Sequence, residues 1–413
     1  MKKNQSKDIV DQNLLILNEE PCFFDGKNYY SRFNWGQFAT ALSPYFGNLF
    51  YVVPVARQKT ENEKGIMIQG ENVEIISLPF FDSMADFIRI LPREYFKIKK
   101  IIKESVRKSD IIFLRLPSLS AFYFFFYAKR LKKPIITYIA GNILRAPGPI
   151  NSGSSMAKIA ASIVSYGIHI FTKVLVNNSI VAFVKGSELL RLYQNKKNRV
   201  ILFITSLIKA NQIFDGRNDT CQDQPIKILT VSRIIPTKGI EYLIESIYYL
   251  KKEGYDIELN IVGKEDSKAY INKLKGLADE SDLGSRVIFH GYVPFGESLF
   301  QYYKEADICV ISSLSEGSPR TILEAWSFGL PLVATKTGGI PDVVINEVNG
   351  LLISPKSSKE IYIAIKRIIE DMDLRRKLIR NGLEFAKNHT QEQQVIYTVD
   401  TIKEYLAYHG EIH

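Results

Sequence analysis

The sequence predicts an α/β protein built from two parallel sheets, and three observations lead to this fold class. Short apolar runs alternate with longer stretches of helical spacing along the chain, which is the pattern of strand–helix–strand units. The runs number about eleven, whereas a strongly twisted open sheet rarely exceeds roughly ten strands. A polar stretch, Asn211–Gln224, separates two groups of runs. We therefore expect two α/β domains.

The predicted strands follow the apolar runs in chain order. They are Leu14–Leu17, Leu49–Val53, Val73–Leu78, Ile111–Leu114, Ile135–Ile139, Ile180–Val184, Ile226–Val231, Ile257–Val262, Val287–Phe289, Asp307–Ile311 and Pro331–Ala334. Helical spacing occurs at Tyr95–Lys108, Ile240–Lys252, Lys359–Glu370, Leu374–Lys387 and Gln391–Tyr408. We place the first domain at 1–210, a linker at 211–225, the second domain at 226–390, and a C-terminal helix and tail at 391–413.

Composition excludes several classes of protein. The 413 residues are 46% hydrophobic and 24% charged, a globular balance that argues against disorder. Three widely spaced cysteines and five scattered histidines predict neither a disulfide framework nor a metal site. No nicotinamide fingerprint or P-loop is present. The apolar segment Ile159–Phe171 is too short to span a membrane, so we expect an amphipathic or buried helix there and a cytoplasmic protein.

The segment Asp307–Asp342 carries the strongest indication of a binding site. An apolar strand leads through a loop to a short helix, with Ser318 as its N-cap and Pro319 at its first position. The helix would start at the carboxyl end of a parallel strand, where α/β sheets bind ligands and where free N–H groups favour phosphate. Glu316 and Glu324 would each accept two hydrogen bonds from paired sugar hydroxyls. Alternatively, they are ordinary surface carboxylates.

Two further strand-to-helix turns follow the same plan. Arg233 and Lys238 lie between the strand Ile226–Val231 and the next helix, where two cations would neutralise a diphosphate. The alternative is that both are solvated loop charges. The glycine loop Thr335–Asp342 also follows a strand and opens a further helix. Its glycines either permit close approach of a ligand or simply form a turn.

Taken in chain order, short segments of the second half of the sequence resemble those of the retaining glycosyltransferases of family 4. Glu316–Ala325 is similar to the E-x7-E signature of that family. Further blocks resembling the family are Val231–Arg233, Lys238–Gly239, Ile261–Gly263, Phe289–Val293, Gly329–Thr335, Gly338–Asp342 and Asn349–Leu352. The resemblance covers roughly residues 226–390, and it is specific because several short blocks recur in the same order.

The resemblance implies the GT-B architecture, with two Rossmann-like domains facing a cleft and the C-terminal helix packed back on the first domain. The second domain would bind a nucleotide-sugar donor, such as a UDP- or GDP-sugar, and the enzyme would need no cofactor or metal. Arg233 and Lys238 would bind the diphosphate, Glu316 the reacting end of the sugar, and Glu324 the ribose hydroxyls. Arg233, Lys238 and Glu316 would be the catalytic residues. The other donor-binding residues implied are Gly263, Val293, Gly317, Ser318, Pro319, Arg320, Thr321 and Ile322.

The first half departs from the family pattern. Many members carry a Gly-Gly turn after the first strand, where this chain has Asn28–Gly36. Many carry a histidine where Ala140–Asn142 stands here. Ser187 occupies a position where members often have serine, but a helix cap explains it equally well. The acceptor site is therefore left without assigned residues.

Basic residues concentrate in the first half. Between Arg89 and Lys133 there are thirteen basic and three acidic residues, a surplus equal to the +10 formal charge of the whole chain. An aromatic run, Phe122–Tyr127, lies in the same stretch. Such a surface suits the anionic inner leaflet of a membrane, whereas a solvated helix face over an aromatic core is the alternative. Nucleic acid is not an expected partner, because no nucleic-acid motif accompanies the charge.

The expected activity is transfer of a hexosyl-type group from a nucleotide sugar to a lipid-linked glycan or cell-surface polysaccharide, such as capsule or lipopolysaccharide, with retention of anomeric configuration. The enzyme would lie in the cytoplasm, with a peripheral position on the inner membrane face as the alternative address. The rival hypothesis is a catalytically silent nucleotide-sugar or glycan-binding scaffold of the same fold, which the substituted first-half motifs favour.

Overall fold

The chain forms two compact units in a computed structural model that describes residues 9–31, 35–56, 65–145, 155–195, 199–317 and 320–410. The first unit ends at Phe203 and takes up the chain again from Val395. The second unit is Ile204–Gln394. Each unit is built around one sheet.

The first unit contains ten strands and six helices among its described residues. The strands are β1 (Leu14–Leu17), β2 (Cys22–Phe24), β3 (Tyr29–Ser31), β4 (Leu49–Ala56), β5 (Ile66–Met67), β6 (Val73–Leu78), β7 (Ile111–Leu116), β8 (Ile135–Ile139), β9 (Val181–Val184) and β10 (Val200–Leu202). The helices are α1 (Trp35–Leu42), α2 (Met84–Lys108), α3 (Ala121–Arg130), α4 (Ser155–Asn177), α5 (Ser187–Tyr193) and, at the end of the chain, α12 (Gln391–Gly410).

The main part of the first sheet is parallel and runs in the order β6-β4-β1-β7-β8-β9-β10. Counted along the chain, its first six strands have the 3-2-1-4-5-6 order of a Rossmann fold. Strand β2 adds to the end of β4, and β3 and β5 extend it in antiparallel fashion. The two faces of the sheet are both covered, because β1 sends Leu15 and Leu17 into one core cluster and Leu14 and Ile16 into another.

The second unit contains six strands and six helices among its described residues. The strands are β11 (Ile226–Val231), β12 (Ile257–Val262), β13 (Val287–Gly291), β14 (Ile308–Ile311), β15 (Leu332–Thr335) and β16 (Leu351–Ile353). The helices are α6 (Ile240–Lys252), α7 (Lys268–Glu280), α8 (Glu297–Glu305), α9 (Arg320–Ser327), α10 (Ser358–Glu370) and α11 (Met372–Lys387).

The second sheet is parallel throughout and runs β13-β12-β11-β14-β15-β16. This is again the 3-2-1-4-5-6 order, so the direction of winding reverses between β11 and β14. Ile228 and Leu229 of β11 enter opposite core clusters, which shows that helices cover both faces. The α/β fold class with two mostly parallel sheets is thereby confirmed.

The C-terminal helix packs on the first sheet, as expected. Val395, Val399 and Ile402 of α12 are buried in the core cluster that holds Leu14 and Phe203. A long-range return of this kind cannot be inferred from helical spacing, and the expectation came from the family resemblance alone.

The division between the units differs from the expected linker at 211–225. Residues 204–224 belong to the second unit, and several of their polar groups form hydrogen bonds within it. Asp219 accepts a hydrogen bond from Arg375 at 2.7 Å, and the Cys221 N–H donates to Asp307 at 2.8 Å. Polar composition suggested a linker, but these polar groups find partners within the domain.

Candidate functional site

The loops that follow neighbouring strands of the second sheet lie side by side at its carboxyl edge. Gly263, after β12, donates to the carbonyl of Gly291 at 2.8 Å. Leu314, after β14, donates to Thr237, after β11, at 2.8 Å. Gly339, after β15, donates to Gly317 at 2.6 Å. The predicted site residues on these loops are therefore collected at the switch point of the sheet, where ligands bind.

Two glycines allow this close packing of loops. A Cβ on Gly263 would lie 1.6 Å from the carbonyl oxygen of Ser232, and one on Gly338 would lie 1.6 Å from that of Glu316. Gly338 also has a φ of +55°, which disfavours other residues. The family-like glycines are thus needed for backbone approach between loops, whatever the ligand.

Lys238 and Glu316 form an ion pair across the switch point. Their side chains are only 15% and 13% exposed, so the pair is largely shielded from water. Ser313 donates its hydroxyl to the same Glu316 oxygen at 3.0 Å, and Ser312 donates to the Lys238 carbonyl at 2.9 Å. The solvated-charge alternative for Lys238 is wrong, because its ammonium group is held by this network.

Glu324 is buried on the first turns of α9, so the surface alternative for this residue is wrong as well. The Tyr303 hydroxyl donates to its Oε2 at 2.8 Å. Burial raises the pKa of the Glu324 carboxyl above its ordinary value, although the Tyr303 hydrogen bond and the Arg320 charge act in the opposite direction. Burying a carboxylate costs free energy unless polar groups surround it. A function therefore explains a buried glutamate at this position better than fold stability does.

Arg233 stands apart from the Lys238–Glu316 pair. Its side chain is 66% exposed, and its guanidinium lies 3.9 Å from Asp266. The exposed position leaves the guanidinium able to reach a ligand, but the solvated-charge alternative also fits it. The carboxyl end of β11 therefore presents one shielded and one accessible cation.

The other predicted donor-binding residues occupy varied surroundings. Ile322 is fully buried in the core, so that only its backbone is available to a ligand. Val293 is half-buried and packs against the same cluster. Gly317 and Arg320 are exposed and Thr321 is half-buried. Ser318 and Pro319 lie outside the described residues, and the expected helix after Gly339 is only a short 3₁₀ turn, Ile340–Asp342.

Sequence reasoning missed the residues that hold the carboxylates. Tyr303 belongs to the buried face of α8 and reads as a core aromatic residue, and nothing in its local pattern connects it with Glu324. Ser313 lies three positions before Glu316, a spacing at which a serine hydroxyl often reaches a neighbour, so this contact had a local signal.

The first sheet has its own polar cluster at its switch point, between β1 and β7. Arg115 of β7 pairs with Glu20 and donates to the Asn18 side chain at 3.0 Å. Asn18 in turn donates to the Tyr51 hydroxyl at 2.7 Å. One Glu20 oxygen and the Arg115 Nε are buried without a hydrogen-bond partner. These residues were not singled out from the sequence.

Among the residues that the structure describes, no three histidine, cysteine or acidic side chains are grouped so as to hold a metal ion. Nor does the described part of the chain contain a helix with the length and apolarity to cross a bilayer.

Comparison with known proteins finds a family match in the second half of the chain and relatives that cover most of its length. Residues 215–385 match the family glycosyl transferases group 1. The chain is 28% identical over 385 residues to Protein CapJ of Staphylococcus aureus, covering 91% of this chain and 90% of CapJ. It is 22% identical over 357 residues to the capsular polysaccharide biosynthesis glycosyltransferase CapM of Staphylococcus aureus, covering 77% and 91%.

A solved structure shows the same fold over nearly the full length. Anabaena HepE, crystallised in complex with UDP and glucose, superposes with a TM-score of 0.65 at 17% identity, covering 96% of this chain and 100% of HepE. The GT-B fold expected from the resemblance is confirmed in its two α/β domains, each with a mostly parallel sheet. The chain thus has the fold of GT-B glycosyltransferases, and its residues 215–385 match the family glycosyl transferases group 1.

Proposed function

We propose that the protein is a retaining glycosyltransferase that moves a hexosyl-type group from a nucleoside diphosphate sugar to a lipid-linked glycan or a growing cell-surface polysaccharide. The observation that carries the proposal is the shielded Lys238–Glu316 pair at the switch point of the second sheet. The UDP and glucose bound by HepE and the capsular role named for CapM support the donor and acceptor classes.

The charges on these loops match the charge that develops during sugar transfer. When the glycosidic bond to the diphosphate breaks, negative charge grows on the leaving phosphate and positive charge on the sugar. Lys238 and Arg233 would stabilise the phosphate, with the start of α9 adding backbone N–H donors. Glu316 would face the sugar, and Glu324 would accept from the ribose hydroxyls. These cations supply the neutralisation that a metal would otherwise provide, so we expect activity to persist in the presence of a chelator.

The remaining donor contacts are proposed on the family pattern. Backbone groups of Gly317, Arg320, Thr321 and Ile322 would hold the sugar and phosphate, together with Ser318 and Pro319. Gly263 and Val293 would border the base. We place the enzyme in the cytoplasm and propose that residues 89–133 rest on the anionic inner face of the membrane, where the acceptor lipid would be found.

The test starts with donor binding. Full-length protein is heated with UDP-, GDP- and ADP-sugars, and a bound donor raises the unfolding temperature. The binding donor is then mixed with lipid extracts, and release of nucleoside diphosphate is followed, with NMR reporting the anomeric configuration of the product. We expect Glu316→Gln and Lys238→Ala to abolish release, whereas Glu297→Gln, an exposed residue of α8, should behave as wild type. Donor binding without release on any lipid fraction would favour the silent scaffold.

A further inference from the structure

The first half of α4 has no hydrophobic cover within the described part of the chain. Of the side chains described at 159 and 162–167, none is buried. Ile159, Ile163 and Tyr166 are 61%, 67% and 60% exposed, and their spacing places them on one stripe. From Ile168 onward the helix is anchored, since Ile168, Thr172 and other side chains are buried. The expected amphipathic or buried helix is thus half anchored and half exposed.

A groove of about 290 Å³ begins where α4 becomes anchored. It lies between α2, α3 and α4, and Leu91, Phe122, Tyr123, Gly167 and Phe171 are among the lining residues. Phe122 and Phe171 are in ring contact at 5.0 Å, so the walls from α3 and α4 are continuous. Among the described lining residues, the Tyr123 hydroxyl is the only polar side-chain group. A sugar or peptide needs several polar partners, whereas a hydrocarbon chain needs none.

One cation of α2, Lys99, lies beside this apolar region, and four others lie on a different face of the helix from the groove-lining Phe87, Ile88 and Leu91. Arg89, Arg93, Lys100 and Lys103 are exposed and follow the three- and four-residue spacing of one helix face, with the 81% exposed Phe96 among them. The ammonium of Lys99 lies 5.6 Å from the Tyr95 ring, and Tyr95 contacts Tyr123 of the groove at 6.4 Å. A ligand with an apolar chain in the groove and an anionic head would therefore meet the ammonium of Lys99.

We infer that this groove binds the hydrocarbon chain of the acceptor lipid, with the lipid phosphate held near the ammonium of Lys99. The inference rests on the proposed function, because it names the lipid part of the acceptor. The exposed apolar stripe of α4 would lie against the bilayer and deliver the chain to the groove. The alternative occupant is a helix of a partner protein. A single helix would cover only the apolar stripe of α4, and it would give the cationic face of α2 no role.

Gly167 offers a way to fill the groove without disturbing the fold. A Cβ added at this position meets no atom within 4 Å, and the residue lies inside α4. Gly167→Ala, Gly167→Leu and Gly167→Phe therefore form a size series. Gly276 of α7 also has open space for a Cβ, so Gly276→Leu in the second unit is the matched control.

The experiment uses the full chain in detergent micelles with a long-chain isoprenyl phosphate that carries a diazirine at the far end of the chain. Irradiation should label α2, α3 or α4 of the wild type, as mapped by peptide mass spectrometry. Labelling should fall with side-chain size, by roughly tenfold for Gly167→Leu, while Gly276→Leu stays at the wild-type level. Donor binding, measured by the thermal shift with the nucleotide sugar, should be the same in all variants.

Three results would overturn the inference. The label could be absent from the three helices, or it could be insensitive to the Gly167 series. A diacyl phospholipid bearing the same diazirine could also label the groove as strongly as the isoprenyl phosphate, which would make it a general membrane anchor. If the wild type bound no nucleotide sugar, that result would contradict the proposed function and not the groove. The two outcomes are distinguishable because labelling of the groove is measured without any donor.

Discussion

The ammonium of Lys238 is paired with the carboxylate of Glu316, although the two residues are 78 positions apart in the chain. The pair joins the loop after β11 to the loop after β14, which are the two strands at the reversal of the sheet. The cation proposed for the leaving phosphate and the anion proposed for the sugar thus neutralise each other in the free protein.

Breaking this pair should destabilise the second unit more than breaking an exposed pair. Lys238→Gln leaves Glu316 shielded without its partner, and we expect a loss of about 1–3 kcal/mol in the free energy of unfolding. Lys366→Gln, which breaks a pair with Glu253 on the surface, should cost clearly less, because water screens that pair. Urea unfolding measures both. The double variant with Glu316→Gln should lose less than the two single losses together, and strict additivity would argue against the pair.

Arg233 should matter for the donor and little for the fold. Its side chain is 66% exposed and its contact with Asp266 is long, at 3.9 Å. Arg233→Ala should therefore change the free energy of unfolding by no more than about 0.5 kcal/mol. If it contacts the diphosphate, affinity for the donor should fall roughly tenfold or more, as expected for a charged hydrogen bond. Calorimetric titration compares it with Arg286→Ala, an exposed arginine paired with Asp256; equal affinities would remove Arg233 from the site.

The second unit was predictable because its strands are buried on both faces. Each predicted run from Ile226 to Ala334 is a strand, with bounds shifted by at most two residues. The strands that escaped prediction, such as β2, β3 and β5, are two or three residues long and partly exposed, so they lack a continuous apolar run. The pairing of β2 with β4, of β3 with β2 and of β5 with β3 is a tertiary effect that local pattern does not encode.

The chemistry of the site was predictable only where it is local in the chain. The spacing of Glu316 and Glu324 is visible in the sequence, but the Tyr303 hydroxyl reaches Glu324 from 21 positions away. The exposure of the first half of α4 could not be predicted either, because Ile163 and Ile168 are equally apolar. Only packing in the folded protein distinguishes the exposed Ile163 from the buried Ile168.

Gly263 should tolerate no side chain. Gly263→Ala would force a methyl group to 1.6 Å from the Ser232 carbonyl oxygen, so the loops after β11 and β12 must separate. We expect a loss of about 2 kcal/mol or more in the free energy of unfolding, together with weaker donor binding. Gly276→Ala should instead gain about 0.5–1 kcal/mol, because its helix has room for the methyl group. Thermal and urea unfolding check both, and a neutral Gly263→Ala would show that the loops can move apart at no cost.

Glu324 should make stability depend on pH in a defined direction. Its folded-state pKa is raised by burial, so the native state holds the proton more tightly than the unfolded state. The free energy of unfolding should therefore fall as pH rises from the ordinary carboxyl pKa of about 4.3 through the raised native value. Glu324→Gln keeps an acceptor for Tyr303 but carries no charge, so it should be more stable than wild type at neutral pH and bind donor more weakly.

The comparison for Glu324→Gln is Glu297→Gln, whose side chain is 81% exposed. Urea unfolding at several pH values should give a difference from wild type that grows with pH for Glu324→Gln and stays small for Glu297→Gln. A difference that shrinks with rising pH would mean that the ionised carboxylate is stabilised in the folded protein.

The cations on α2 should control attachment to an anionic membrane. Lys100 and Lys103 are exposed on the same face of the helix, next to the exposed Phe96. Each cation near an anionic surface contributes about 1 kcal/mol, so replacing both by glutamine should weaken vesicle binding roughly 30-fold. The control replaces Lys356 and Lys359, two exposed lysines of the second unit, which changes the net charge equally. Flotation with vesicles containing acidic lipid measures both variants. The difference should shrink at high salt, because the interaction is screened, and equal losses in the two double variants would indicate that net charge alone attracts the protein.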